Sequence, residues 1–293
     1  MNPNSLNTTD AHPAVADTSY PLFLDEPTDV DLLSFDAVAS TVIDALLDPQ
    51  LDPIALGLSG SWGSGKTSVL RLIAQQLRTD NEEMPSRLVI ETDPWRYDPQ
   101  LGIKESLIGE ILTAIEAALP SDGVEGKSKA LVQRLLKRID WTKAMKLAAK
   151  SAITVTLPSL DGVLELVKPK QDEGDEKPEP IMDMVQFRTE FLTLLKSEGL
   201  NSISNVVVLV DDLDRCLPDT VVETLETIRL FLSVPKMSFV IAADEERVAD
   251  AIATRYPATP ESKAGEETPA QLYLHKIVQT SVPVPALSDF DAE

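Results

Sequence analysis

Apolar positions along this chain change their period several times, and the changes divide it into elements. From residue 30 to 48, Leu32, Leu33, Phe35, Val38, Val42, Ile43, Leu46 and Leu47 fall mostly at helical spacing, and Asp48-Pro49 stops the pattern. The run PIALGLS (53–59) is short and almost wholly apolar, which predicts a buried strand. Immediately after the polar stretch that follows, TSVLRLIAQQLRTD places Val69, Leu70, Ile73 and Leu77 on one helical face. RLVIETD (87–93) predicts a second strand, and ESLIGEILTAIEAAL (105–119) an amphipathic helix.

The same alternation resumes later. A helix, MVQFRTEFLTLLKSEGL, precedes VVVLVDD (206–212), whose five apolar residues predict a buried strand ending in paired carboxylates. DTVVETLETIRLFLSV predicts a helix, SFVIAAD (238–244) a strand and EERVADAIATRY another helix. Short buried strands alternating with helices imply an α/β fold, with a mainly parallel sheet flanked by helices on both faces.

Two stretches lack this regularity. Residues 1–20 are polar and rich in Asn, Thr, Asp and Pro, with no basic leader and no apolar run. They are expected to form a disordered tail without a secretory signal, ordered structure beginning near Pro21. Between about 120 and 180, the basic helical stretch KSKALVQRLLKRIDWTKAMKLAAK gives way to the acidic run KPKQDEGDEKPEP, which reads as a solvated linker. We therefore expect residues 21–293 to form one domain interrupted by a helical insertion, with Trp141 anchoring the inserted helix.

Charge narrows the functional classes. The chain has 48 acidic and 26 basic residues, a formal net charge of −22. Such a field repels phosphate backbones, so nucleic-acid binding would need a segregated basic patch. Lys127, Lys129, Arg134, Lys137, Arg138, Lys143, Lys146 and Lys150 are the candidates for one. We prefer the plainer reading of a solvated helix that balances the acidic run. Cys216 is the only cysteine, and the two histidines, His12 and His275, are far apart, which leaves no internal disulfide and no thiolate metal site. A reducing cytoplasm fits best. No membrane association is expected, because the most apolar long stretch, residues 144–167, is interrupted by Lys146, Lys150, Pro158, Asp161 and Glu165.

The polar stretch between the first strand and its helix carries the most specific chemistry. GSWGSGKTS (60–68) matches G-x-x-x-x-G-K-[ST] through Gly60, Gly65, Lys66 and Thr67. Glycines allow the backbone N–H groups to face an anion closely, and the following helix points its positive end at the same place. The candidate nucleotide-binding residues are Gly60, Ser61, Trp62, Gly63, Ser64, Gly65, Lys66, Thr67 and Ser68. Lys66 would contact the β- and γ-phosphates and the Thr67 hydroxyl would ligate Mg²⁺. The Trp62 side chain is read as packing rather than stacking on a base.

VVVLVDDLDR supplies the other half. Asp211 is placed to hold Mg²⁺ through water, and Asp212 to act as base or to orient a water. Asp244, at the end of the next strand, could sense the γ-phosphate, and Asp214 is a further candidate for a sensing or trans-acting role. Arg215 could meet a phosphate, reach a neighbour's site, or neutralise Asp211 to Asp214; pairing within the acidic segment is the reading we favour.

Together these segments carry a family resemblance. GSWGSGKTS, TDPWRYDP, VVVLVDDLDRC, FVIAADEERVADAI and YLHKIVQTSVPVP occur in the order and approximate spacing of the KAP family of P-loop NTPases, from about Asp25 to Pro285. The resemblance implies ASCE-type strand order, with an extra strand between the phosphate-loop strand and the Asp211 strand. It also implies the catalytic position for Asp212. Many members carry transmembrane helices where this chain has its polar 120–180 stretch, so it looks like a soluble, prokaryotic-type member, a kind often found in phage-defence operons. Two departures stand out. Asp93 replaces the Asn common before the family's x-Trp element, and the chain stops at Glu293 where the family continues into a helical lid, so the lid is expected to be incomplete.

These readings converge on a Mg²⁺-dependent ATPase that couples nucleotide state to assembly or to a partner protein or second subunit. A guanine-specific NKxD-type segment is not evident, which favours ATP over GTP. Two other classes remain: a nucleotide-dependent switch that scarcely hydrolyses, suggested by the lack of an evident in-chain arginine finger, and a nucleic-acid motor or sensor using the basic stretch.

Overall fold

The computed structural model describes residues 35–79, 86–97, 102–119, 126–138, 184–257 and 267–285. Five parallel strands lie in the order β2-β3-β4-β1-β5. They are β1 (Ile54–Ser59), β2 (Ser86–Thr92), β3 (Ile203–Val210), β4 (Met237–Ala243) and β5 (Thr280–Pro283). The helices are α1 (Asp36–Leu47), α2 (Lys66–Thr79), α3 (Ile103–Ala118), α4 (Gly126–Arg138), α5 (Met184–Leu195), α6 (Pro218–Phe231), α7 (Glu245–Ala253) and α8 (Pro269–His275). Every strand and helix expected within the described residues is present, with small shifts at the ends. β5, which extends the sheet beyond β1, and α8, which packs on α7, are additional.

The central strands are apolar on both faces because each face carries its own helical layer. Leu56 and Leu58 of β1, Val207 and Leu209 of β3, and Val240 and Ala242 of β4 pack with α1 and α2. Their alternates, Ala55, Val206, Val208, Val210, Phe239 and Ile241, join the larger core built by α3 to α8. Aromatic contacts tie that second layer together. Phe191 lies 5.0 Å from Phe231 in an edge arrangement, and Phe231 lies 6.2 Å from Phe239 of the sheet.

α4 falls in the stretch read from sequence as an insertion, and the reading of its helix as solvated needs correction, because one face is buried. Val132, Leu135 and Leu136 are buried against α3 and α5, and Ser128 Oγ bonds Ser197 Oγ at 2.8 Å. Arg138 is turned inward, 7% exposed, with its guanidinium 2.6 Å from Glu190 Oε1. Arg134 approaches the same carboxylate at 3.9 Å, so the candidate basic face is partly spent on internal pairing. The remainder of the 120–180 stretch, Trp141 included, and residues 1–20 lie outside the described residues. Among the described residues, no helix is long and apolar enough to cross a membrane.

Candidate phosphate site at the carboxyl edge of the sheet

In a parallel sheet all strands end on one edge, so residues far apart in sequence meet there. β4 lies between β1 and β3, with Ser59 opposite Ala243 and Val210 opposite Ile241. The glycine-rich loop after β1, Asp244 after β4 and Asp211 after β3 therefore share that edge, where α/β sheets generally bind ligands.

The loop is built for close backbone approach. Gly63 and Gly65 have φ of 78° and 89°, values that favour glycine. A Cβ on Gly65 would meet the Phe35 ring at 2.6 Å. Ser64 N–H donates to Ser61 O at 3.2 Å, closing the turn, and α2 begins at Lys66. The Lys66 ammonium folds back on the loop, donating to Gly60 O at 2.9 Å and Ser61 O at 3.0 Å. Ser64 Oγ is buried in the same turn and lacks a hydrogen-bond partner among the described residues. A positive helix end, a lysine within the turn and an orphaned hydroxyl suit a phosphate chain.

The β3 edge is acidic and tightly arranged. Asp211 N–H donates to Thr92 O at 3.0 Å, while its Oδ1 accepts the Asp212 N–H at 2.9 Å. Asp212 is left-handed, with φ 52° and ψ 27°, a conformation Asp tolerates better than most residues. It opens the short 3-10 turn Leu213–Arg215, whose Arg215 Nε lies 2.9 Å from Asp212 Oδ1. Burial raises the Asp212 carboxyl above its ordinary value, Asp211 adds to that rise, and Arg215 opposes it. Asp214 Oδ1 is buried with no hydrogen-bond partner among the described residues. Among those residues no cluster of three or more His, Cys, Asp or Glu could hold a metal unaided. By the chemistry of their oxygens, Asp211 and the Thr67 hydroxyl would suit a Mg²⁺ that takes most of its remaining ligands from phosphate and water.

Several expectations are refined by this geometry. Asp244 caps α7: its Oδ1 accepts from Glu246 N–H at 3.1 Å and Arg247 N–H at 3.4 Å. Arg215 makes the internal pair favoured from sequence. Trp62 does not pack into the interior; it is 63% exposed. Its ring lies 4.9 Å from the Arg215 guanidinium carbon and 5.4 Å from that of Arg247.

Other residues had no role assigned from sequence. Asp93 accepts the Trp95 N–H at 3.1 Å, capping the turn Pro94–Arg96, and pairs with Arg96 Nε at 2.9 Å. Burial raises its pKa, and although Arg96 opposes this, Asp211 adds to the rise, so Asp93 belongs electrostatically to the acidic edge. Beneath it, Glu110 Oε2 accepts from Thr92 Oγ1 at 2.6 Å and Tyr97 OH at 2.5 Å. Arg247 did have a signal: Asp-x-x-Arg occurs at both strand ends, as DLDR (212–215) and DEER (244–247).

A glycine-rich loop leading from β1 into α2, with β4 inserted before the acidic β3 edge, defines a P-loop NTPase fold of the ASCE type. The chain belongs to the KAP family: the model of the KAP family P-loop domain matches residues 35–293. It is 24% identical over 275 residues to the phage T7 exclusion protein of Escherichia coli K12, covering 89% of this chain and 34% of that protein. A 53-residue stretch is 38% identical to the human kinase D-interacting substrate of 220 kDa, covering 18% of this chain and 3% of that protein. The chain thus spans about a third or less of the curated relatives it matches. Among solved structures, the Aeropyrum pernix ORC2 protein in ADPNP-ADP complexes aligns with a TM-score of 0.40 at 13% identity, over 94% of this chain and 52% of that one. Drosophila ORC bound to DNA aligns with a TM-score of 0.36 at 12% identity, over 93% and 63%.

Proposed function

We propose that this chain is a Mg²⁺-dependent ATPase whose nucleotide state governs a partner protein or a second subunit in the cytoplasm. The observation that carries the reading is the shared carboxyl edge, where the Lys66 loop and the Asp211-Asp212 pair are separated only by the end of β4. In this reading Lys66 leaves the Gly60 and Ser61 carbonyls for the phosphates, and the loop amides hold them. Mg²⁺, held by Thr67 and Asp211, would supply charge neutralisation at the phosphate oxygens. Asp212 orients a water and takes its proton as the water oxygen bonds to the γ-phosphorus; the bond from that phosphorus to the β,γ-bridging oxygen breaks, giving ADP and phosphate.

Turnover of MgATP by the full chain tests this. Hydrolysis that falls at least about tenfold in Asp212→Asn and in Lys66→Ala supports it. Hydrolysis that both variants retain in full overturns the assignment of these residues.

The Asp212–Arg215 pair supports a second reading, a switch with slow basal turnover, because the base is engaged by a guanidinium 2.9 Å away. Hydrolysis that rises steeply with protein concentration or added partner favours the coupled ATPase over a pure switch. A role in antiviral defence rests on the name of the phage exclusion relative and belongs to the same proposal. Phage plating on cells expressing the wild type or Lys66→Ala tests it: equal plating efficiency removes that role.

A further inference from the structure

Trp62 stands on the phosphate loop with most of its surface exposed, yet two cations converge on it. Arg215 arrives from the turn after β3 and Arg247 from the first turn of α7 after β4. Each guanidinium also faces a carboxylate at its own strand end. Arg215 Nε lies 2.9 Å from Asp212 Oδ1, and Arg247 Nε lies 4.0 Å from Asp244 Oδ2. One aromatic ring thus links the loop to both Asp-x-x-Arg turns.

A surface tryptophan covered by arginine stems is common, and packing alone would account for one such contact. Two guanidiniums on one ring are different, because like charges repel and each must be held against the other. The ring's negative face offsets part of that repulsion, and Asp212 and Asp244 offset more. A dianionic group arriving between the loop and these turns would satisfy both cations at once. Guanidinium suits that task, since its planar fork donates in pairs to phosphate oxygens.

We propose that Arg215 and Arg247, gathered by Trp62, form a terminal-phosphate sensor within this chain. Trp62 is a positioning residue and the two arginines are the phosphate ligands. On triphosphate binding Arg215 exchanges Asp212 for the γ-phosphate, and Arg247 exchanges Asp244. Partner exchange frees Asp212 only when a γ-phosphate is present, so a diphosphate leaves it paired. The proposal rests on the nucleotide-binding reading above.

Calorimetric titration of the full chain with Mg²⁺ and either a non-hydrolysable ATP analogue or ADP separates the two. The wild type is expected to prefer the triphosphate analogue. Arg247→Ala should weaken the analogue about tenfold while changing ADP affinity less than about twofold, and Trp62→Ala should lower the preference for the analogue over ADP by a similar factor. Trp62→Phe, which keeps a ring face, should retain most of the preference. Retained ADP binding also reports that the loop is folded in each variant. Equal weakening of both nucleotides, or of neither, overturns the sensor and leaves nucleotide binding intact. A wild type without preference has the same consequence. Failure of the wild type to bind either nucleotide overturns the nucleotide-binding reading itself.

Discussion

The ring of Phe35, the residue just before α1, occupies the space where a Cβ on Gly65 would lie, at 2.6 Å. Gly65 also has φ of 89°. Glycine is thus required at this position both by the backbone conformation and by contact with the residue that precedes α1. Gly63 shares the positive φ, but a Cβ there meets nothing within 4 Å. Gly63→Ala should cost roughly 1–2 kcal/mol from backbone strain. Gly65→Ala should cost about 1–3 kcal/mol more, because the ring must also move. Denaturant unfolding of both variants checks the difference, and equal losses would remove the role of Phe35.

Two arginine pairs make a second contrast. Arg138 is buried against Glu190 at 2.6 Å, whereas Arg78 and Glu91, 2.7 Å apart, are about half exposed at 52% and 50%. Arg138→Ala leaves a carboxylate facing α4 without its closest cation and should destabilise by about 3 kcal/mol. Arg78→Ala should cost less than about 1 kcal/mol, since solvent screens that pair. Thermal melts of the two variants measure the gap. A small effect at Arg138 would show that α4 is peripheral to stability.

Burial pushes the Glu110 carboxyl up, and its bonds to Thr92 and Tyr97 offset only part of the rise. The folded state therefore keeps a proton where the unfolded chain has released it. Its contribution to stability is greatest at low pH and is lost as pH rises from the ordinary glutamate value through the raised one. Glu110→Gln keeps an acceptor oxygen and cannot ionise. Its melting temperature relative to wild type should improve as pH rises from about 4 to about 8. A relative temperature that stays flat or worsens over that range would contradict the assignment.

Burial also pushes the Cys216 thiol up to about 12, with Asp93, Asp212 and Asp214 adding to the rise. Little thiolate then forms at pH 8, and a disulfide reagent should react about a thousandfold more slowly with the folded chain than with the unfolded one. As Cys216 is the only cysteine, denaturation should release one reactive thiol per chain. Fast labelling of the native protein would place the thiol in a different environment.

What the sequence determined by itself was local. Strands β1 to β4, most helices, the turn-forming glycines and the Asp211-Asp212 pair are patterns within a few residues of one another, and short-range periodicity and spacing record them. β5 was missed because it has four residues, mostly exposed, with no apolar alternation to read. α8, at seven residues, is too short to establish a helical period. The edge positions of β2 and β5, the burial of one face of α4, the clash that makes Gly65 a glycine, and the meeting of Trp62 with Arg215 and Arg247 were decided only by the tertiary structure. Each depends on residues brought together from distant parts of the chain. Such contacts are set by which faces of helices and strands find apolar partners, and a linear pattern names the faces without naming what they meet.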